Sequence, residues 1–189
     1  MLLTPGPTPV PEFVRKAMSD ITIHHRTEEF EAIFKNTREL LIEIYDMPEV
    51  VMLASSGTGA MEACVTNLTH KKALTINSGK FGERFGKICA AFAIDYTEIK
   101  NEWNTPVSVE AVINAIKTDS SIDAVFIQIC ESAGGLRHPV EEIAAEIKKI
   151  NKDITIVADG ITAVGVEKID TTNLDAVVTR KKKALMLPP

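Results

Sequence analysis

Two hydrophobic spacings alternate along this chain. Across residues 27–45, TEEFEAIFKNTRELLIEIY, Phe30, Ile33, Phe34, Thr37, Leu41 and Ile44 fall on one helical face. Thr27 is placed to cap that helix, and Glu28 and Glu29 suit the positive end of its dipole. The short apolar run VVMLA at 50–54 predicts a strand, and GAMEACVTNL soon after it predicts a helix. ALTIN at 73–77 predicts the next strand. Phe81, Phe85, Ile88, Cys89 and Phe92 then repeat at helical spacing, and DYTEI at 95–99 follows as a weaker strand. Val109, Val112, Ile113 and Ile116 mark another helix, with Ser108 as its cap. DAVFIQI at 123–129 predicts a strand, and Val140, Ile143, Ala144, Ile147 and Ile150 a helix. ITIVAD at 154–159 and LDAVVT at 174–179 are the last predicted strands.

Strands written as continuous apolar runs and separated by amphipathic helices predict an α/β fold. Its sheet is mainly parallel, with helices on both faces. Composition narrows the function classes. The 189 residues are 45% hydrophobic and 25% charged with net charge -5, a soluble balance that does not invite nucleic acid. No apolar run is long enough to span a membrane, and MLLTPGPTPVPEF lacks the regions of a signal peptide. Cys64, Cys89 and Cys130 are widely spaced and odd in number, which predicts reduced thiols in a cytoplasmic setting. The four histidines show no metal-binding spacing, so no metal site is expected.

In parallel sheets, ligands sit at the carboxyl ends of the strands. The loops there read SSGTGAME, NSGKFGER, CESAGG, DGITAVG and RKKKAL. Ser55-Ser56-Gly57-Thr58-Gly59 leads into a helix, where small residues and exposed N–H groups suit a phosphate. A plain glycine-rich turn fits the same residues. Asp159 closes a strong strand and wants a cation there: a magnesium ion, a helix start or a protonated ring nitrogen. On spacing alone Phe81 reads as core rather than as a site residue, and Cys130 as an inert thiol rather than a nucleophile. Four cations, Arg180 to Lys183, follow the last strand and run into ALMLPP. A cradle, a carboxylate, an aromatic and a lysine at strand ends of one sheet together describe a pyridoxal phosphate site.

The order of motifs resembles the class V, fold-type I aminotransferases, and within them the alanine–glyoxylate / serine–pyruvate aminotransferase group. The motifs are TPGPTPVP, HHRTEEFEAI, SSGTGAMEA, NSGKFGERF, ES..G...P, VADGITAVG and KALMLPP. The resemblance implies an enzyme that moves an amino group from a small amino acid, alanine or serine, to a 2-oxo acid, glyoxylate or pyruvate. It implies that Ser56, Gly57 and Thr58 hold the phosphate of pyridoxal 5′-phosphate. Phe81 would stack on one face of the ring and Ile161 on the other. Ser132 would approach the phenolic oxygen and Asp159 the ring nitrogen. Lys183 would bind the cofactor aldehyde, and Gly6 would line the substrate side.

Where the family has Gly-Ser-Gln before the lysine, this chain has Arg180-Lys181-Lys182, so Lys182 takes the phosphate-facing place as a point charge. Ala133-Gly134 stands where the family tends to carry hydroxyl residues. The resemblance also implies a homodimer. Residues 1–25 would form an N-terminal segment and 26–189 the cofactor-binding large domain, with the small C-terminal domain and its substrate-clamping arginine absent. These 189 residues alone are therefore expected to transfer amino groups poorly or not at all. A non-catalytic fragment, or a lyase or desulfurase of the same class, is the alternative.

Overall fold

The computed structural model describes residues 4–188. They form two compact units. One is Ser55–Arg180, and the other is built from the flanking stretches that end at Ala54 and begin again at Lys181.

The central unit holds five strands: β1 (Lys72–Asn77), β2 (Tyr96–Lys100), β3 (Ile122–Gln128), β6 (Thr155–Asp159) and β7 (Ala176–Val178). They lie in the order β2-β1-β3-β6-β7, all parallel, as the apolar runs predict. A small antiparallel hairpin, β4 (Cys130–Glu131) with β5 (Leu136–Arg137), follows β3 and has no counterpart among the predicted elements. Helix α3 (Gly57–Leu68) precedes the first strand, and α4 (Gly82–Ala91), α5 (Val109–Thr118) and α6 (Val140–Ile150) join the strands that follow.

The connections decide which face each helix covers. From β1 the chain steps outward to β2 through α4, then doubles back past β1 to β3 through α5, and on to β6 through α6. Right-handed crossovers in opposite directions put α4 on one face and α5 with α6 on the other. The contacts agree. α3 and α4 pack with Ala73, Ala124, Phe126, Val157 and Val178, and the Phe85 and Phe126 rings meet at 5.1 Å. Val125, Ile127 and Ile156 alternate to the opposite face and are fully buried, as are Ile143 and Ile147 of α6. The reversal of direction lies between β1 and β3. That is where a parallel sheet opens a crevice at its carboxyl edge.

In the flanking unit, α1 (Glu12–Ala17) precedes α2 (Glu28–Tyr45). Thr27 caps α2 by accepting the Phe30 N–H at 3.3 Å, and Ser108 caps α5 by accepting that of Ala111 at 3.1 Å, both as predicted. The apolar stripe of α2 is present but uncovered: no residue of this helix is buried, and Ile33, Phe34 and Ile44 stay about half exposed. The predicted strand at 50–54 is not a strand. Val51 and Leu53 are exposed, and the Val50 N–H is taken by the Glu49 carboxylate at 3.0 Å. An apolar run becomes a strand only when a neighbour accepts its backbone bonds. Among the described residues no helix is long and apolar enough to cross a membrane.

Candidate functional site

The start of α3 is open. Ser56 caps it, its Oγ accepting the Gly59 N–H at 3.2 Å, and both Ser55 and Ser56 are exposed. The amides of the first helical turn have no partner inside a helix, so those of Gly57 and Thr58 face outward with the positive end of the dipole. Gly57 itself is buried, because Ile161 lies over it. A Cβ at Gly57 would stand 2.5 Å from Ile161 Cδ1 and 3.8 Å from Arg180 Cδ. The helix start is thus floored by a glycine, with the half-buried stem of Arg180 beside it. The donor set suits a phosphate group.

The start of α4 is closed. Glu131, fully buried at the end of the hairpin strand β4, aims its Oε2 at the N–H groups of Phe81 and Gly82, at 2.7 and 2.9 Å. Its Oε1 accepts the Ala133 N–H at 3.0 Å. Gln128 adds a bond from Nε2 to the Phe81 carbonyl at 3.2 Å. Phe81 is thus fixed through its backbone from the end of β3. Its ring is half-buried, and the Arg84 guanidinium lies over it, 4.9 Å from the centroid. Arg84 Nη1 also donates to Thr58 Oγ1 at 3.2 Å. Phe81 is therefore not plain core.

Asp159, at the carboxyl end of β6, is 6% exposed. Its Oδ1 accepts the N–H of Ile161 at 3.0 Å, which shapes the turn that carries Ile161 over Gly57. Gly57, Thr58, Phe81, Asp159 and Ile161 are thereby linked in one run of contacts. Ser132 is half-buried in the hairpin turn, next in sequence to Glu131.

Gly6, Lys182 and Lys183 belong to the flanking unit. Gly6 has a φ of +155°, and a Cβ there would stand 2.5 Å from Lys183 Cδ and 2.8 Å from its Cε. Only glycine lets the lysine stem pass. Thr8 ties the same two stretches together: its N–H donates to the Lys182 carbonyl at 3.3 Å and its Oγ1 to the Lys183 carbonyl at 2.8 Å.

Three partners escaped the sequence reading. Thr8 lies about 175 positions from the carbonyl it holds. Arg84 sits one helical step past Phe81, a spacing that could have flagged it. Glu131 carries the same signal as Asp159, a carboxylate just past a strong apolar strand.

Behind this cluster the chemistry is structural. Arg137 bridges Glu141 and Glu167, at 2.6 and 3.0 Å, and its pKa is raised chiefly by the hydrogen bond to Glu141. Burial pushes the Cys130 thiol up and takes that of Cys89 to about 11, so neither offers a ready thiolate. His138 is fully buried, its Nδ1 accepting the Val107 N–H at 3.1 Å, and burial lowers its pKa to about 4.

Comparison with known proteins gives this geometry a context. A family model described as Aminotransferase class-V matches residues 2–185. An uncharacterized aminotransferase of Helicobacter pylori strain J99 is 50% identical over 189 residues, which is 100% of this chain and 51% of that protein. A serine–glyoxylate aminotransferase of Methylorubrum extorquens is 26% identical over 195 residues, covering 99% of this chain and 48% of that protein. Among solved structures, the subgroup IV aspartate aminotransferase of Thermus thermophilus matches with a TM-score of 0.91 and 29% identity, covering 99% of this chain and 54% of that one. The chain spans about half the length of the relatives it matches.

Proposed function

The chain belongs to the class-V aminotransferases, and we propose that it is the cofactor-binding part of a pyridoxal 5′-phosphate enzyme. In this reading the enzyme moves an amino group from a small amino acid, alanine or serine, to a 2-oxo acid, glyoxylate or pyruvate. The observation that carries the reading is the open, glycine-floored start of α3, linked through Ile161 to the Asp159 carboxylate.

When bound, the cofactor supplies an electron sink that makes the substrate Cα–H acidic. The chain's own residues divide the remaining work. Ser56, Gly57 and Thr58 hold the phosphate with N–H and O–H donors, and Lys182 adds a positive charge. Phe81 and Ile161 enclose the ring and exclude water. Asp159 keeps a proton on the ring nitrogen, and Ser132 donates near the phenolic oxygen. Lys183 Nζ would hold the cofactor aldehyde at rest and, once the substrate amine displaces it, would be the free amine that takes the Cα proton and returns it. Gly6 leaves room on the substrate side. Serine and glyoxylate are the substrates named for the Methylorubrum relative, and aspartate for the Thermus structure. The reading also takes the protein as cytoplasmic and as a homodimer; the uncovered apolar face of α2 supports the dimer alone.

The test is direct. Chain mixed with pyridoxal 5′-phosphate should gain a visible band that borohydride bleaches, with the pyridoxyl group then found on Lys183 by mass spectrometry. Label scattered over Lys181, Lys182 and surface lysines would sink the assignment.

A further inference from the structure

We propose that Arg84 sets the strength of the phosphate seat without touching the phosphate, by acting through the Thr58 hydroxyl. The proposal rests on the cofactor reading above. Its starting point is a difference among threonines on helices. Thr66 of α3 gives its hydroxyl proton to the Glu62 carbonyl at 2.8 Å, and Thr37 of α2 gives its own to the Ile33 carbonyl at 2.8 Å. Each spends its O–H on the carbonyl four residues back. Thr58 is the second residue of α3, so no carbonyl of its own helix lies behind it. Its oxygen instead accepts a bond from Arg84 Nη1 at 3.2 Å.

The chemistry of the two groups fixes the direction of that bond. A guanidinium only donates, whereas a hydroxyl has one proton to give and lone pairs to receive with. With Arg84 on a lone pair, the Thr58 proton is left for an acceptor at the helix start. The donated bond also polarises the hydroxyl, which makes it a better donor. Arg84 is held in place for this role. Its guanidinium lies over the Phe81 ring at 4.9 Å, and Glu131 pins the Phe81 backbone from below. Among the described residues no carboxylate pairs with Arg84, while its neighbour Glu83 is engaged by Lys80 and Lys87. The positive charge therefore reaches the seat uncompensated.

Arg84 is a positioning residue that ties ring recognition at Phe81 to phosphate recognition at Thr58. The measurable consequence is discrimination between pyridoxal 5′-phosphate and pyridoxal, which lacks the phosphate. Equilibrium dialysis at fixed ionic strength gives both affinities and their ratio. Arg84→Met keeps an apolar cover on Phe81 but loses the charge and the donor. It should cut the ratio roughly tenfold, the size of one charge-assisted hydrogen bond, with pyridoxal affinity changed little. Arg84→Lys should recover part of the ratio. Thr58→Val should lose as much as Arg84→Met, and the double variant no more than Thr58→Val alone, because the two act in series.

Thr58→Val also carries the test if Arg84→Met fails to fold: an unchanged ratio there overturns the proposal. Additive losses in the double variant overturn it as well. A wild-type chain that discriminates, with Arg84→Met discriminating equally, overturns the role of Arg84 alone. A wild-type chain that binds pyridoxal as tightly as its phosphate overturns the seat itself, and the proposed function with it.

Discussion

The starts of α3 and α4 are built from similar sequence and used in opposite ways. Each follows a small-residue loop, and each presents the unpaired amides and positive dipole end that attract an anion. At α4 the anion is internal: the buried Glu131 carboxylate takes the Phe81 and Gly82 N–H groups. At α3 no carboxylate enters. Ser56 takes the Gly59 N–H, and the loop before the helix is exposed, which in the proposed reading leaves the first amides to the phosphate. A helix start alone therefore does not identify a ligand site. What identifies one is whether the protein has already supplied the anion.

Substitutions at the two ends should separate these uses. Glu131→Ala should cost the most stability, about 3–5 kcal/mol, because the buried Gly82 N–H and those of Phe81 and Ala133 lose their acceptor together and a fully buried side chain is removed. Urea denaturation measures it, and Glu131→Gln, which keeps one acceptor oxygen, should recover part. A loss below about 1 kcal/mol would mean water replaces the carboxylate.

The next effect is pH dependence, again at the closed end. His138 is neutral in the folded chain, its pKa lowered from 6.5 to about 4, chiefly by burial and against the pull of Glu131. Between those values the unfolded chain binds the proton and the folded chain does not. The contribution is thus complete above pH 6.5 and is lost as pH falls toward 4, by about 3 kcal/mol in all. Unfolding curves across that range should show the slope in the wild type, and His138→Gln should flatten it.

At the open end the effects move from stability to binding. Gly57→Ala places a Cβ 2.5 Å from Ile161 Cδ1. It should weaken pyridoxal 5′-phosphate binding roughly tenfold while changing stability by less than about 1 kcal/mol, since alanine suits a helix. Equal losses in stability and binding would make Gly57 merely structural. The smallest change is Ser56→Ala, which removes the cap and should cost about 1 kcal/mol. That loss should grow when the ligand is bound, since in the proposed reading Ser56 also donates to the phosphate.

What the sequence made legible was local. The caps at Thr27 and Ser108 depend on residues three positions away, and both form. The run Val140 to Ile150 contains its own period and is a helix over that span. DAVFIQI and ITIVAD have enough apolar, β-branched residues to announce central strands. The misreading at 50–54 came from the same kind of signal without a partner, and partners are not written in the run itself. The site follows the same division. Gly57, Phe81 and Asp159 stand at ends of elements and could be suspected from position. The bond from Arg84 to Thr58 spans 26 positions and that from Glu131 to Phe81 spans 50, and no local pattern reports either. The hairpin of β4 and β5 has only two residues per strand, too few for alternation to show.

The central claim is that α3, not α4, receives the phosphate. A crystal structure of the chain grown with pyridoxal 5′-phosphate tests it most directly. The account predicts phosphate oxygens within hydrogen-bond distance of the Gly57 and Thr58 N–H groups and of Thr58 Oγ1, with Glu131 still on the Phe81 amide. Phosphate bound elsewhere, or seated at the start of α4 with Glu131 displaced, would contradict it.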